Sequence, residues 1–291
     1  MKDQWKEELP VDHIKDIRPA SGGDVNEAFK VITDDEPYFL LVQRNQEADF
    51  YAAEQAGLNA FEEADILAPR VIANGQIDGD AYLLITYLEE GGRGDQRDLA
   101  KLMARLHQMK QPDGQFGFDY PHSGKDINFD NDWTDSWSQL FINQRMDVLR
   151  DRIVEQGLWT TEDARQYDAV REVMVKALAE HESKPSLVHG DMWGGNHMFL
   201  TDGSPALFDP APFYGDREFD IGVTLGFGAF NQDFYDEYDR QYPLANGASL
   251  RLEFYRLYLL MFHLLKFGSI YARQVDRAMD RILTQANESS L

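Results

Sequence analysis

The chain has no cysteine among its 291 residues, which excludes disulfides, a thiol nucleophile and Cys-ligated zinc. Its seven histidines are scattered without metal-ligand spacing, so a zinc centre finds no support. Long apolar runs are missing too. The longest, Leu257 to Leu265, is broken by His263 and falls far short of the ~20 residues needed to cross a bilayer. Positive charge is scarce: 28 Lys and Arg stand against 51 Asp and Glu, a net −23. Phosphate backbones and anionic membrane surfaces both demand clustered cations, so neither nucleic acid nor membrane is an expected partner. An excess of carboxylates suits cationic substrates, or a site where acids hold metal ions. Met1 to Glu8 offer no apolar stretch for a signal peptide, and a cytoplasmic location is expected.

What is present is enough apolar residue, 43%, to build a core at this length. The first ~90 residues are strand-rich by pattern. Ala28–Thr33 and Tyr38–Gln43 flank an Asp34–Pro37 turn, a helix spans about Asp49 to Glu63, and two strands follow at Pro69–Ile72 and Ala81–Leu88. The last is nearly all apolar and therefore central. Glu89 to Asp95 is Gly-rich and breaks the pattern. Beyond it the spacing predicts helices at Asp98–Lys110, around Trp133, Trp137, Leu140 and Phe141, at Glu162–Glu182, at Phe230–Tyr238, and at Arg251–Phe267, the last apolar on nearly all sides and so buried. The second part holds one strand-like stretch, Leu187 to Asp209. A small β-rich lobe, residues 1–88, is thus expected before a larger helical one, residues 89–291, with a joint near 86–90: an α+β chain.

The strand-like stretch carries the chemistry. Residues 187–196 read Leu-Val-His-Gly-Asp-Met-Trp-Gly-Gly-Asn, so a short strand delivers Asp191 and Asn196 follows five positions later. This is the Asp-x-x-x-x-Asn spacing of a kinase catalytic loop, with Gly190 where protein kinases carry arginine. Asp202-Gly203 between apolar runs signals a hairpin. A turn centred there pairs residues whose positions add to 405, which sets Asn196 opposite Asp209, Cβ atoms about 5 Å apart. An amide oxygen and a carboxylate at that separation can share a hard divalent cation. Asp191 is then placed to orient an attacking hydroxyl and accept its proton. Each residue alone has a plainer reading, as a capping acid, a turn residue or a strand-end acid; the joint spacing favours the chemical one. His189 is read as a hydrogen-bonded brace of the loop.

His189-Gly190-Asp191-Met192-Trp193-Gly194-Gly195-Asn196, followed by Phe208-Asp209-Pro210-Ala211 and Tyr214-Gly215-Asp216-Arg217-Glu218-Phe219-Asp220, resembles the fructosamine kinases (ketosamine 3-kinases). These lie within the broad aminoglycoside phosphotransferase and choline kinase group. The tryptophan in the loop and the Gly-Asp-Arg-Glu segment separate this family from the rest of the group. The resemblance covers most of the chain: Ser21 to Phe29 is similar to the family's first turn, and Asn131-Asp132-Trp133 through Arg145 to its central segment. It implies a protein-kinase-like bilobal fold, a nucleotide-binding lobe with one main helix before a helical catalytic and substrate lobe. The implied activity is ATP-dependent phosphorylation of a sugar hydroxyl on a ketosamine, free or protein-bound, with ATP and Mg2+.

Carried over position by position, the resemblance implies that Asp191 is the catalytic base and that Asn196 and Asp209 hold magnesium. Thr86, Tyr87 and Leu88 would form the adenine hinge, and Gly22-Gly23 would let the backbone approach the phosphates. Glu54 would be the helix glutamate that normally pairs with a strand lysine, or else part of a solvated helix face. Trp193 would stack on the sugar or anchor the loop. Asp216 and Arg217 would contact substrate or support the loop, and Asp220 would accept hydrogen bonds from the catalytic-loop backbone.

One position departs from the family pattern. Where the second paired strand usually reads Tyr-Phe-Val-Lys, this chain has Tyr38-Phe39-Leu40-Leu41. Glu54 would then face apolar Leu41. Gln43 could offer a neutral donor nearby, and of the nearby cations Lys30 is favoured over Arg44, which points to the opposite face. Two other readings stay open: a kinase of another alcohol, aminoglycoside- or choline-like, or a nucleotide-binding pseudokinase.

Overall fold

The computed structural model describes residues 3–20, 27–123 and 127–288. It divides into two units, Met1–Asp95 with Met198–Pro210, and Gln96–His197 with Ala211–Leu291. The segment 198–210 therefore groups with the first unit, although a division at residue 88 leaves it in the second.

The first unit is built on an antiparallel sheet ordered β1-β2-β3-β5-β4. Its strands are β1 (Asp16–Pro19), β2 (Glu27–Ile32), β3 (Tyr38–Gln43), β4 (Val71–Ile77) and β5 (Asp80–Thr86). The apolar β5 is interior, as its composition requires. Helices α1 (Asp3–Glu8) and α2 (Ala52–Glu63) complete the unit with a hairpin described below. Register matters here. Ala28 pairs with Leu41, Lys30 with Phe39, Phe39 with Ile85 and Leu41 with Leu83, so all six share one face of the sheet. The other face, with Phe29, Val31, Leu40, Val42, Tyr82 and Leu84, forms a core closed by Trp5 of α1 and Leu9 just after it. Neither α1 nor β1 has the length or alternation that marks an element in sequence. β4 runs through Asn74-Gly75, a pair that reads as a turn; a Cβ on Gly75 would lie 3.0 Å from the Tyr82 ring.

The second unit is helical: α3 (Gln96–Gln108), a π-helical stretch Gln139–Met146 running into α4 (Asp147–Glu155), α5 (Thr161–Ala179), α6 (Glu218–Thr224), α7 (Gln232–Gln241), α8 (Ala248–Phe267) and α9 (Ala272–Glu288). Helix α5 opens on a capping box between Thr160 and Asp163. Its strands include β6 (His122–Ser123), β7 (Asn128–Phe129), β8 (Pro185–Val188) and, beyond the hairpin formed by β9 (His197–Phe199) and β10 (Pro205–Leu207), β11 (Phe213–Asp216). β8 pairs antiparallel with β11. Buried α8 is the axis of the core, packed with Trp137, Phe141 and Phe219. Its one buried cation, Arg251, is neutralised by Glu218, which accepts two hydrogen bonds at 2.7 and 2.8 Å. Trp133 does not share a helix with Trp137. It precedes the helix, beside the Phe116–Thr134 bridge, with its indole N–H on Asp119. No described helix is long and apolar enough to cross a membrane.

Candidate active site

In the second unit, β8 ends at Val188 and the next three residues are locked by their backbone. Gly190 adopts φ +84, and a Cβ there would lie 1.8 Å from the carbonyl oxygen of Ala211. Only glycine meets both conditions. The Ala211 N–H donates to the His189 carbonyl at 2.9 Å, which ties the loop to the segment following Pro210. From α6, fully buried Asp220 accepts hydrogen bonds from the amides of His189 (2.6 Å) and Gly190 (3.0 Å), as expected of it. His189 is buried, and its Nδ1 accepts from the Asp191 amide at 3.3 Å, the bracing role read for it.

Asp191 and Asn196 meet at the head of this loop. The Asn196 amide nitrogen donates to Asp191 Oδ2 at 3.0 Å and to the Asp191 carbonyl at 2.8 Å. With its nitrogen so committed, Asn196 turns its Oδ1 the other way, as an acceptor. Asn196 is 3% exposed, so this orientation is held by packing. Trp193 is 39% exposed. Its indole lies over Gly195, where a Cβ would come within 2.2 Å of the ring.

The loop stands on residues that composition and spacing did not single out. His107 of α3 is fully buried, with Nε2 3.0 Å from Asp220 and Nδ1 2.7 Å from the Tyr238 hydroxyl. Burial, the largest influence, holds His107 below its ordinary pKa. A neutral ring donates from Nε2 to the carboxylate and accepts from Tyr238 at Nδ1. The signal was available: His107 continues the Leu99, Met103 stripe at four-residue spacing, a polar residue on a buried face.

Asp216 and Arg217 serve the same scaffold. Asp216 is buried, 2.8 Å from His181 Nε2, and accepts the Glu218 amide at 2.9 Å; despite burial, these contacts hold its carboxyl below the usual range. Arg217 donates to the Tyr238 hydroxyl, to the Tyr242 carbonyl and to Pro243, and its guanidinium lies 3.7 Å from the Tyr242 ring centre. Both side chains thus hydrogen-bond the scaffold around the loop.

In the first unit, the hairpin of residues 198–210 is pinned beside the Gly-rich joint. Gly91 N–H donates to the Phe199 carbonyl at 2.8 Å, and Leu207 N–H to the Leu67 carbonyl at 2.9 Å. Its turn differs from the expected one. Leu200 N–H donates to Ser204 and Gly203 N–H to Leu200, so the loop holds three residues, Thr201, Asp202 and Gly203, with Gly203 at φ +85. This is the three-residue hairpin loop with glycine in the left-handed position. Partner positions add to 404 at the turn, one residue out of the register that set Asn196 opposite Asp209. Asp209 is exposed and itself holds φ +52, a conformation that costs a non-glycine residue about 1–3 kcal/mol and collects at functional sites.

The sheet face of this unit bears the departure at Leu41, which is buried. Glu54, on the first turn of α2, forms no hydrogen bond or ion pair with another described residue. It keeps part of its surface open yet sits in dense protein. Burial and, secondarily, the charge of Asp209 push its carboxyl up to about 8. Lys30 shares the face of Leu41, and its ammonium lies 3.8 Å from the Tyr87 ring centre. Arg44 is held by Glu27 and Asp80 at 2.6 Å each. At the hinge, the Thr86 hydroxyl accepts from the Arg70 amide at 2.9 Å. Tyr87 and Leu88 make no backbone hydrogen bond with a described residue. Gly22 and Gly23 lie outside the described residues.

Comparison with known proteins places these features. The family model for fructosamine kinase matches residues 1–285. The chain is 60% identical over 97% of its length, and 98% of the relative's, to the "Probable ketoamine kinase" of Staphylococcus aureus. To the chloroplastic protein-ribulosamine 3-kinase of Arabidopsis thaliana it is 26% identical over 93% of this chain and 83% of that one. Among solved structures, one from Haemophilus somnus, provisionally named a fructosamine-3-kinase, superposes with TM-score 0.82 at 25% identity, covering 97% of this chain and 96% of that one. A thermostable mutant of aminoglycoside phosphotransferase APH(4)-Ia, in ternary complex with ADP and hygromycin B, shares the fold at TM-score 0.65 and 14% identity, with 94% of each chain covered.

Proposed function

Because the chain belongs to the fructosamine kinase family, we propose that it transfers a phosphoryl group from ATP to a sugar hydroxyl of a ketosamine. Asp191 is the base: it orients the hydroxyl and accepts its proton as the new bond to phosphorus forms. The observation that carries this reading is the Asn196 amide on Asp191. One side chain fixes the base and presents an oxygen in another direction, so positioning precedes substrate arrival.

Asn196 and Asp209 are the donors we assign to magnesium. The fit rests on chemistry: both offer hard oxygens, the Asn196 oxygen lies on the side of its amide away from the nitrogen that holds Asp191, and Asp209 is exposed in a backbone conformation held at a cost. Magnesium, when bound, neutralises charge on the phosphates. Thr86, Tyr87 and Leu88 are assigned to the adenine, with the backbone of Tyr87 and Leu88 available to hydrogen-bond it. Trp193, exposed beside the base, is assigned to stack on the sugar. A cytoplasmic location and a small-molecule or protein-bound ketosamine complete the reading.

Leu41 favours a second reading, a nucleotide-binding protein with little turnover, because the strand lysine that contacts phosphates is absent. A coupled ADP-release assay with ribulosyl-lysine and fructosyl-lysine, beside kanamycin and choline, separates the readings. Release with the ketosamines alone supports the proposal. Release only with kanamycin or choline moves the acceptor class, and release with none of them supports the second reading.

A further inference from the structure

Trp133 and Asp119 have no task in the proposed chemistry, yet the second unit builds a place for them. Residues 116–118 run beside residues 131–134. The Phe116 amide donates to the Thr134 carbonyl at 2.8 Å, the Thr134 amide returns a bond at 2.9 Å, and the Phe118 amide donates to the Asn131 carbonyl at 2.8 Å. Between them Gly117 adopts φ +138, and a Cβ there would lie 2.6 Å from the Asn131 carbonyl oxygen and 3.0 Å from Trp133 Cα. Any larger residue would hold Trp133 away. Gly117 also exchanges two backbone hydrogen bonds with Tyr214 of β11, at 3.0 and 2.9 Å. The segment is fixed from inside: buried Asn131 accepts from buried Arg145 and donates to the Tyr120 carbonyl at 2.8 Å.

This scaffold presents an aromatic surface with a carboxylate at its edge. The Trp133 and Tyr214 rings lie 6.1 Å apart between centres, tilted by 32°, and Trp133 is 38% exposed. Its indole N–H donates to Asp119 Oδ1 at 3.0 Å. No other hydrogen bond or ion pair from a described residue reaches the Asp119 carboxylate. Asp130 and Asp132 are exposed on the same segment and form no ion pair with a described residue either. An open indole face beside unpaired carboxylates attracts a cation, and the alkyl stem of a lysine adds apolar contact with the rings. A neutral sugar would leave the carboxylates unused, so the charge complement selects an ammonium.

The platform lies near the catalytic loop. Tyr214 pairs with Leu187 in the β8–β11 ladder, and Asp191 stands four residues beyond Leu187, at most about 14 Å along an extended chain. A polypeptide covers that distance in about four residues.

We propose that Trp133, Tyr214 and Asp119 form a platform for the ammonium of a lysine close to the modified one on a polypeptide carrier. The carrier assignment rests on the reading of Asp191 as the base of a ketosamine kinase; the ammonium site does not. Two measurements on the full chain test it. In the first, the chain carries 5-fluorotryptophan and its fluorine spectrum is titrated with acetyl-trilysine amide, the Trp133 signal being identified by its absence in Trp133→Phe. That signal is expected to shift with trilysine and to stay in place with the same peptide acetylated on every side chain. In Asp119→Asn, which keeps an oxygen for the indole N–H, it is expected to shift less at equal peptide. In the second, coupled ADP release compares peptides carrying fructosyl-lysine or ribulosyl-lysine, with a second lysine three residues away either free or acetylated. KM is expected to be about three- to tenfold lower with the free lysine, and the gap closes in Asp119→Asn and Trp133→Ala. A Trp133 signal unmoved by trilysine, or moved equally by the acetylated peptide, overturns the ammonium site. A selective shift with equal KM values for the paired peptides overturns the carrier assignment. A wild type that releases ADP with none of the peptides overturns the ketosamine reading and the carrier with it, while the fluorine titration still decides the ammonium site.

Discussion

At residues 189–196 the polar groups answer one another: the amides of His189 and Gly190 reach Asp220, Asp220 faces His107, and Asn196 holds Asp191. In the first unit, Leu41 stands where the resemblance leads one to expect a lysine, Glu54 on α2 keeps its proton up to about pH 8, and Lys30 rests on an aromatic ring. The loop is preorganised before any ligand arrives, which is where electrostatic catalysis draws most of its effect. The sheet face is not. Under the proposed function a nucleotide and its cation would complete its charge balance, so the two regions should respond differently to substitution.

The largest contrast comes from the loop. Asp191→Asn keeps the Asn196 contact in shape but removes the proposed base, and kcat should fall by about 10²–10⁴-fold. The dissociation constant for ATP and the melting temperature should hold at wild-type values in calorimetry; a variant retaining more than about a tenth of kcat removes Asp191 from the role.

Next is Asp209. If it holds the cation that the nucleotide brings, Asp209→Ala should abolish the thermal shift given by Mg-ATP, which for a ligand at a hundred times its dissociation constant corresponds to about 2.7 kcal/mol. An undiminished shift at equal magnesium and ATP would assign the cation elsewhere.

A smaller effect, in the opposite direction, is expected from Leu41→Lys. A charge-assisted contact is worth about 1.5–3 kcal/mol, so ATP should bind at least about tenfold more tightly. Lys30→Ala, by contrast, should weaken ATP binding only slightly, because its ammonium is directed to Tyr87. Titration of ATP against both variants checks the pair, and no gain from the lysine would mean that the phosphates are held by other groups.

The last contrast concerns pH. Glu54 has an ordinary pKa of 4.5 and is pushed up to about 8 in the folded chain. Between those values the unfolded chain has released a proton that the folded chain still holds, so stability falls as pH rises through that window. Glu54→Gln should flatten the slope of melting temperature against pH from 5 to 8, and Leu41→Lys should flatten it too by drawing the pKa down. An unchanged slope in Glu54→Gln would mean that the carboxyl ionises as an exposed one does.

Much of this was legible in residues 28–43, 81–86 and 187–220, where alternation, apolar runs and the Asp-x-x-x-x-Asn spacing coincide. The less legible parts are those in which contacts from afar replace local pattern. β1 is four residues long and exists because β2 pairs with it. Trp133 fits a helical stripe but is held outside the helix by a bridge at Thr134. Asp216 and Arg217 lie in a family motif, yet their partners His181, Tyr238 and Tyr242 stand 21 to 35 positions away along the chain, and nothing local announces them.

By itself, then, the sequence pointed to the class of chemistry, because the Asp-x-x-x-x-Asn spacing lies within a motif that marks the family. It determined also the face of the sheet on which Leu41 and Lys30 lie, since alternation follows from the pleat. Only the tertiary structure decided the hairpin's one-residue shift, which turned on a left-handed Gly203. It alone turned Lys30 toward Tyr87 and brought His107 under Asp220 and Trp133 beside Tyr214. Those are pairings between elements distant in sequence, fixed by packing and burial, and no spacing along the chain encodes them.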